Sequence, residues 1–356
     1  PDFVRGARME TSFIAPHNDY RLPEKIDEEI SKHYVDSLKY SRLAHEMIAV
    51  LGGKAPHNHG IFVGGVTVNI DSAKWIKVKS ILYDIKRFIE DILIPDVYKI
   101  TEYYPDYFNN GIGYKNLMSY GLFDSYSDKR TFYVAPSVMI NGKYSTFNSD
   151  KITENIHRAW YELIVDPENP AETSVIENIY KENAYSWIKS PRYEGYAMEV
   201  GPLARLWLSG DYNRGISTMD RTIARVLEVK KIIEIMEVFL EKIKLLPTNQ
   251  GIYEFTQNAY GKGLTDTTRG ALGHWILVQN QAIEKYDIIT PSSWNLSPED
   301  SKGLKGTVEE ALIGTVVQDT KNPVEIGRIA RSFDPCVSCA THVVTDKYSP
   351  IEIRVV

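Results

Sequence analysis

Asn322-Pro323-Val324-Glu325-Ile326-Gly327-Arg328-Ile329-Ala330-Arg331-Ser332-Phe333-Asp334-Pro335-Cys336-Val337-Ser338-Cys339-Ala340-Thr341-His342 is the stretch of this 356-residue chain on which its reading turns. Asn322-Pro323 reads as an N-cap followed by proline at the first helical position, a strong start signal. Ile326, Ile329 or Ala330, and Phe333 then make an apolar face at helical spacing. The helix is expected to end near Ser332 or Phe333, and the chain runs directly into Asp334-Pro335-Cys336. A packed helix thus delivers a thiol, and Pro335 stiffens the approach, as suits a rigidly held metal ligand.

Residues 334–342 hold both cysteines of the chain, a carboxylate and a histidine. Two thiols three residues apart can chelate one soft metal ion or reach two adjacent ones. A c-type haem site needs histidine directly after the second cysteine, where Ala340 stands. A structural zinc site needs four ligands, and there is no second cysteine pair. A thioredoxin-like pair opens a helix after a strand, whereas this one follows a helix near the C-terminus. Spacing alone leaves three readings open: metal binding, a redox dithiol, or inert thiols.

Outward from this stretch the chain is helical in its longest segments. Residues 23–51 carry Ile26, Ile30, Tyr34 and Leu38 at helical spacing and stop at Gly52-Gly53. Residues 72–94 form a second expected helix, capped by Asp71 or Ser72 and ended by Pro95. Its inward face is Ile81, Ile85, Phe88, Ile89 and Ile92. Residues 217–246 form a third, with Ile223, Val226, Ile233, Met236, Leu240 and Ile243 apolar and Pro247 as terminator. Thr131 to Ile140, followed by Asn141-Gly142, reads as a strand entering a hairpin. Ile351 to Val355 alternates like an edge strand. The expected fold is mainly α with small β pieces, in a single interlocked domain.

Composition narrows the function classes. The net charge of −6 disfavours nucleic acid as a partner, since phosphate binding needs clustered Lys and Arg. Two cysteines exclude a disulfide framework in a chain of this size. No run approaches the roughly 18 apolar residues of a membrane span. The sequence begins Pro1-Asp2-Phe3, with no methionine and no signal peptide.

Asp-Pro-Cys-x-x-Cys-x-x-His near a C-terminus resembles the second cysteine signature of nickel–iron hydrogenase large subunits. Four further blocks resemble the same family, in its order. They are Gly53-Lys54-Ala55-Pro56-His57 with Val63-Gly64-Gly65; Tyr185 to Arg192 with Ala197-Met198-Glu199-Val200-Gly201-Pro202-Leu203-Ala204-Arg205; Thr268-Arg269-Gly270-Ala271-Leu272-Gly273-His274-Trp275; and Pro291-Ser292-Ser293-Trp294-Asn295. The chain is most similar to the membrane-associated, H2-uptake branch. The resemblance implies a large-subunit fold with a helical bundle core across residues 1–356. It also implies that the family's N-terminal third, with its Arg-x-Cys-x-x-Cys pair, is missing from this sequence.

By that resemblance Cys336 is a terminal nickel ligand, and Cys339 bridges nickel and an iron that carries CO and cyanide. Soft thiolate sulfur suits low-valent nickel. Arg269 matches the arginine over the site, and Asp334 is its expected carboxylate partner. Ser292 matches a hydroxyl that donates to cyanide. Thr268 stands where the family usually has proline, beside the other cyanide. His342 and the main-chain carbonyl of Ile288 match ligands of a buried Mg2+. His57 resembles a histidine near the electron-transfer interface. The Cys336 thiolate and Arg269 are the candidate bases.

The resemblance further implies heterolytic cleavage or formation of H2, with electrons passed to iron–sulfur clusters in a small subunit, and a protein that this partial chain alone does not complete. Two cysteines cannot serve both the metal centre and a cluster relay. A membrane cytochrome is a further expected partner, and the implied location is the periplasmic or outer face of a membrane, reached through a partner subunit. Residues 343–356, beyond His342, match the tail that a maturation endopeptidase removes. The alternatives are a non-catalytic paralogue, which typically lacks the metal cysteines, and an H2 sensor on the same fold.

Overall fold

The structure is a computed structural model that describes residues 2–5, 19–62, 65–124, 132–165, 170, 174–245, 256–336, 339–343 and 351–355; from 339 onward the description is of the backbone. Its helices are α1 (Glu24–Gly52), α2 (Ser72–Phe88), α3 (Ile94–Tyr103), α4 (Pro202–Ser209), α5 (Thr218–Lys242), α6 (Pro291–Asn295), α7 (Thr307–Leu312) and α8 (Val324–Ser332). The chain divides into two compact units, residues 1–104 with 225–255 and residues 105–224 with 256–356. Each unit draws on two separate stretches, so the units are interleaved along the sequence.

The first unit is helical. Its core joins Met47 of α1, Val78, Ile81, Leu82, Ile85 and Phe88 of α2, and Ile233 and Leu240 of α5. Tyr40 stacks on Phe88 with ring centroids 4.1 Å apart. Asp71 caps α2 by accepting from the Lys74 amide at 2.8 Å, one of the two caps the sequence offered. The expected stripe on α1 is only partly used: Ile30 is buried, but Tyr34 and Leu38 are exposed. A strict four-residue repeat drifts by about 40° per step around a helix of 3.6 residues per turn. The packed face is instead Tyr40, Leu43, Ala44, Met47 and Leu51, at mixed spacings of three and four.

Pro95 does not end the second helix. A π-helical turn at Ile89–Leu93 follows α2, and α3 continues to Tyr103 with Pro95 in its first turn. The widened turn lets the Ile94 amide reach back to Ile89, so the missing N–H of Pro95 falls where the ladder is already interrupted. Tyr104, fully buried, donates to the Phe3 carbonyl at 3.0 Å and accepts from the Arg21 amide at 2.8 Å.

The second unit mixes short helices with small antiparallel sheets. Ser137–Ile140 and Lys143–Thr146 form the expected hairpin, with Ile140 opposite Lys143 and both Asn141 and Gly142 at positive φ. That is the geometry an Asn-Gly turn supplies. The strand read over Thr131 to Ile140 is broken at Ala135-Pro136, and Phe132–Val134 pairs instead with Leu122–Asp124. The largest sheet is a three-stranded meander, Ala259–Thr267, Gly270–Gln279 and Ala282–Ile289. One core packs Met118, Tyr120, Met198, Val200, Trp275, Ile289 and Trp294. A smaller one joins Val308 and Ala311 of α7 to Ile329 and Phe333 around α8.

α8 confirms the helix read from the opening stretch, with one change: Pro323 is the N-cap, at φ −77° and ψ 71°, not the first helical residue. The helix is buried nearly all round, including Glu325 and Arg328. The Arg328 guanidinium donates to the Tyr107 hydroxyl at 2.8 Å. The edge strand Ile351–Val355 is present, paired antiparallel with Cys339–Val343.

Candidate functional site

The Thr268-Arg269 pair forms the tip of a tight hairpin, because Thr267 and Gly270 are register partners in the meander. Both tip residues have ordinary negative φ, while Gly270 sits at φ +127°. A two-residue tip without left-handed backbone is one that proline at its first position would also fit.

α8 ends at Ser332 with Phe333 as its C-cap, and Asp334 then adopts a left-handed conformation, φ 52°, with its amide donating to the Arg331 carbonyl at 3.0 Å. Asp is one of the few non-glycine residues that tolerates this region. The turn carries Asp334 to Arg269, whose Nε donates to the Asp334 carbonyl at 3.0 Å and lies 3.2 Å from Asp334 Oδ2. Both contacts use Nε, so the two terminal nitrogens of Arg269 keep their hydrogens for other acceptors. Asp334 and Arg269 are each more than a third exposed.

Two residues on, the Cys336 amide donates to Ser292 Oγ at 3.0 Å. Ser292 is buried in α6, where Thr290 caps the helix by accepting from the Ser293 amide at 3.2 Å. The hydroxyl accepts from the cysteine's own backbone and still has its hydrogen to donate. Cys336 is exposed. Arg269, Asp334, Ser292 and Cys336, drawn from three distant segments, therefore form one connected cluster.

The other expected site residues stand apart or lie outside the description. Thr268 is exposed, and its carbonyl accepts from Arg205 at 2.9 Å. Ile288 is in the meander's last strand opposite His274, with its side chain exposed and its segment leading through Thr290 into Ser292. Cys339 and His342 are in the strand paired with the tail, opposite Val355 and Glu352, and their side chains lie outside the described residues. Among the described residues no group of three or more His, Cys, Asp or Glu converges. His57 is in the loop after α1 at φ 60°, in the other unit.

Sequence reasoning gave no role to the groups beneath the cluster. Glu199 grips Arg221 through two bonds of 2.8 and 2.9 Å, both side chains buried. Arg221 also donates to the Gly111 carbonyl at 2.7 Å, and its guanidinium lies 3.7 Å above the Phe333 ring. It therefore fixes the residue just before Asp334. Asn295 exchanges two 3.0 Å bonds with the Val200 backbone, tying α6 to the segment that carries Glu199. Under the meander, Lys189 binds Glu154 at 2.9 Å and faces Asp287 at 3.7 Å. Burial pushes the Glu154 carboxyl up from its usual range, and Lys189 only partly opposes it. The Tyr185–Arg192, Ala197–Arg205 and Pro291–Asn295 blocks contained Lys189, Glu199 and Asn295, but a buried charge reveals its partner only in three dimensions.

The chemistry of this donor set fits a soft-metal centre carrying anionic ligands. It offers a thiol, a guanidinium with spare hydrogens and a serine hydroxyl, with a carboxylate orienting the guanidinium. A profile of the nickel-dependent hydrogenase family matches residues 7–214 and 208–342. The chain is 32% identical to the periplasmic [NiFeSe] hydrogenase large subunit of Desulfomicrobium baculatum, over 87% of this chain and 65% of that protein. It is 30% identical to the hydrogenase-1 large chain of Citrobacter freundii, over 94% of this chain and 68% of that one, and 29% identical to the uptake hydrogenase large subunit of Rhodobacter capsulatus, over 93% and 67%. The chain thus spans about two thirds of the length of these relatives. The reduced Ni-Fe-Se hydrogenase of Desulfovibrio vulgaris Hildenborough superposes with a TM-score of 0.87 at 32% identity, covering 94% of this chain and 75% of that one. With the profile matching most of its length and these large subunits aligned along it, the chain belongs to the nickel-dependent hydrogenase family.

Proposed function

We propose that this chain forms the metal-holding part of a hydrogenase large subunit that splits or forms H2 at a nickel–iron centre with CO and cyanide on iron. The observation that carries this reading is the connected cluster of Arg269, Asp334, Ser292 and Cys336 in a chain of this family. When bound, the centre supplies the electrophile that polarises H2, a very weak acid in water. Cys336 would hold it through Sγ, with Cys339 as the second thiolate. Cys336 Sγ is also the better proton acceptor of the two candidate bases, because a guanidinium stays protonated under ordinary conditions. Arg269 would act instead as a fixed donor, its terminal nitrogens directed to an anionic ligand while Asp334 takes Nε. Ser292 would donate to cyanide while its oxygen holds the Cys336 amide.

His342 and the Ile288 carbonyl are the proposed Mg2+ ligands. Electrons would leave to an iron–sulfur small subunit, since both cysteines of this chain are committed to the metal centre. Placement at the periplasmic face of a membrane through partners, including a cytochrome, extends this reading by analogy with the periplasmic and uptake relatives. Among the described residues no helix is long and apolar enough to cross a membrane. Residues 343–356 are the proposed maturation tail. Strand pairing of 351–355 with 339–343 supports it, because the tail then engages the segment that bears Cys339 and His342.

The deciding experiment purifies the complete large and small subunit assembly that contains this chain. Metal analysis, H2-dependent dye reduction and intact mass are measured together. The expected result is one nickel per chain, dye reduction under H2 and a C-terminus at His342. Nickel without turnover points to a sensor, and absence of nickel from a folded assembly points to a non-catalytic paralogue. An active protein that still ends at Val356 removes the maturation reading alone.

A further inference from the structure

Arg269 stands on a two-residue tip, and such a tip has little packing of its own to limit its orientation. Here it is held from behind. Arg205, in α4, and Asp266, three residues before Arg269, are 1% and 3% exposed. Arg205 Nη1 donates to the Thr267 carbonyl at 2.8 Å and to Asp266 Oδ2 at 3.2 Å, and Nη2 donates to the Thr268 carbonyl at 2.9 Å. One planar fork thus engages three successive residues leading to Arg269. The Asp266 carboxylate is completed by the Ser119 hydroxyl at 3.0 Å and the Tyr120 amide at 2.8 Å. Gly201, which opens α4, is pressed against the same turn: a Cβ on Gly201 would lie 2.9 Å from the Arg269 carbonyl oxygen, and one on Gly270 only 2.6 Å from the Gly201 nitrogen.

A buried ion pair is a poor source of stability, because desolvation cancels most of its attraction and an apolar pair of similar volume does as well. What the charged pair supplies is direction. A guanidinium that bonds two carbonyls and a carboxylate leaves the peptide planes of 266–268 a single orientation, and Arg269 starts from the last of them.

We propose that the buried Arg205–Asp266 pair is the positioning device for Arg269, aiming its guanidinium at the metal site from behind the hairpin tip. This rests on the reading of Arg269 as the arginine over that site. Arg205 is a positioning residue, acting on the site through the turn.

The test variant is Arg205→Lys, which keeps the charge on Asp266 but loses the fork that spans both carbonyls. Amide hydrogen exchange is measured on this chain and on the metal-loaded assembly, with thermal melting as the fold control. The expected result is exchange faster by about tenfold in peptides covering 267–271, with 259–264 and 273–279 unchanged. In the assembly, the infrared cyanide bands should shift and turnover should fall about tenfold at unchanged nickel content. Unchanged exchange at the turn overturns the proposal. Equal loosening of the whole sheet also overturns it, because that marks a merely structural ion pair. A loosened turn with unshifted cyanide bands overturns the link to the metal site, whereas absence of nickel in the parent assembly counts against the functional reading and not the clamp. If Arg205→Lys fails to fold, Ser119→Ala removes one support of Asp266 and should raise exchange in the same peptides about threefold; no change there overturns the proposal.

Discussion

The two halves of the proposed metal site are held by different means. The arginine half, residues 266–270, rests on a buried ion pair, a three-stranded sheet and a backbone approach that admits only glycine at 201 and 270. The cysteine half, residues 334–336, leaves the end of α8 through a left-handed aspartate and is tied by Arg269 to one side and Ser292 to the other. The first half is rigid because of what lies beneath it; the second is positioned by the first.

The sharpest way to break the comparison is Cys336→Ser. A hydroxyl is a hard, poor replacement for a nickel thiolate, so nickel content and turnover of the assembly should fall below detection while the isolated chain melts normally. Normal nickel loading in that variant removes the cysteine half from the site.

Gly270→Ala attacks the other half. It places a Cβ against the Gly201 backbone at a φ that L residues rarely adopt, so denaturant unfolding should show a loss on the order of 3 kcal/mol or more. A loss under about 0.5 kcal/mol, the size of an ordinary surface change, means the approach is not tight.

Arg269→Lys should retain metals and reduce turnover on the order of 10²-fold, the scale of losing one preorganised donor. Activity within a few-fold of the parent makes Arg269 a structural ion pair only.

At Asp334, comparison of Asp334→Gly with Asp334→Ala separates backbone from charge. Both lose the carboxylate facing Arg269, but only alanine strains the left-handed turn, so it should be less stable by about 1 kcal/mol in denaturant melts. Equal stability means Asp334 carries no backbone role.

The smallest expected effect is a pH dependence below the meander. Glu154 has its pKa raised by burial, so its folded form binds the proton more readily than the unfolded chain does. Its contribution to stability is therefore greatest at low pH and is lost as pH rises through the folded value. Glu154→Gln fixes the protonated shape, so the melting temperature of the variant relative to the parent should climb from about pH 4 to about pH 7. A flat or falling difference shows that Lys189 dominates the site.

The sequence by itself determined what is local. Helical spacing announced α2, α5 and α8, the Asp71 cap marked the start of α2, and Asn141-Gly142 announced its hairpin, because those signals act within a few residues. Asp-Pro-Cys-x-x-Cys, with the Arg269 and Ser292 blocks, pointed to the donors proposed for the site, because chemistry restricts which side chains can serve there. Only the tertiary structure decided which face of α1 is buried and that the helix passes Pro95 through a π turn. It also decided that Asp334 is left-handed, and that Arg205 and Asp266 hold the turn bearing Arg269 while Glu199 and Arg221 hold Phe333. Those outcomes depend on partners tens to more than a hundred residues away, as in the bonds of Arg221 to Gly111 and of Cys336 to Ser292. A buried charge is stable only beside its partner, so its role becomes visible only once the fold has brought the two together.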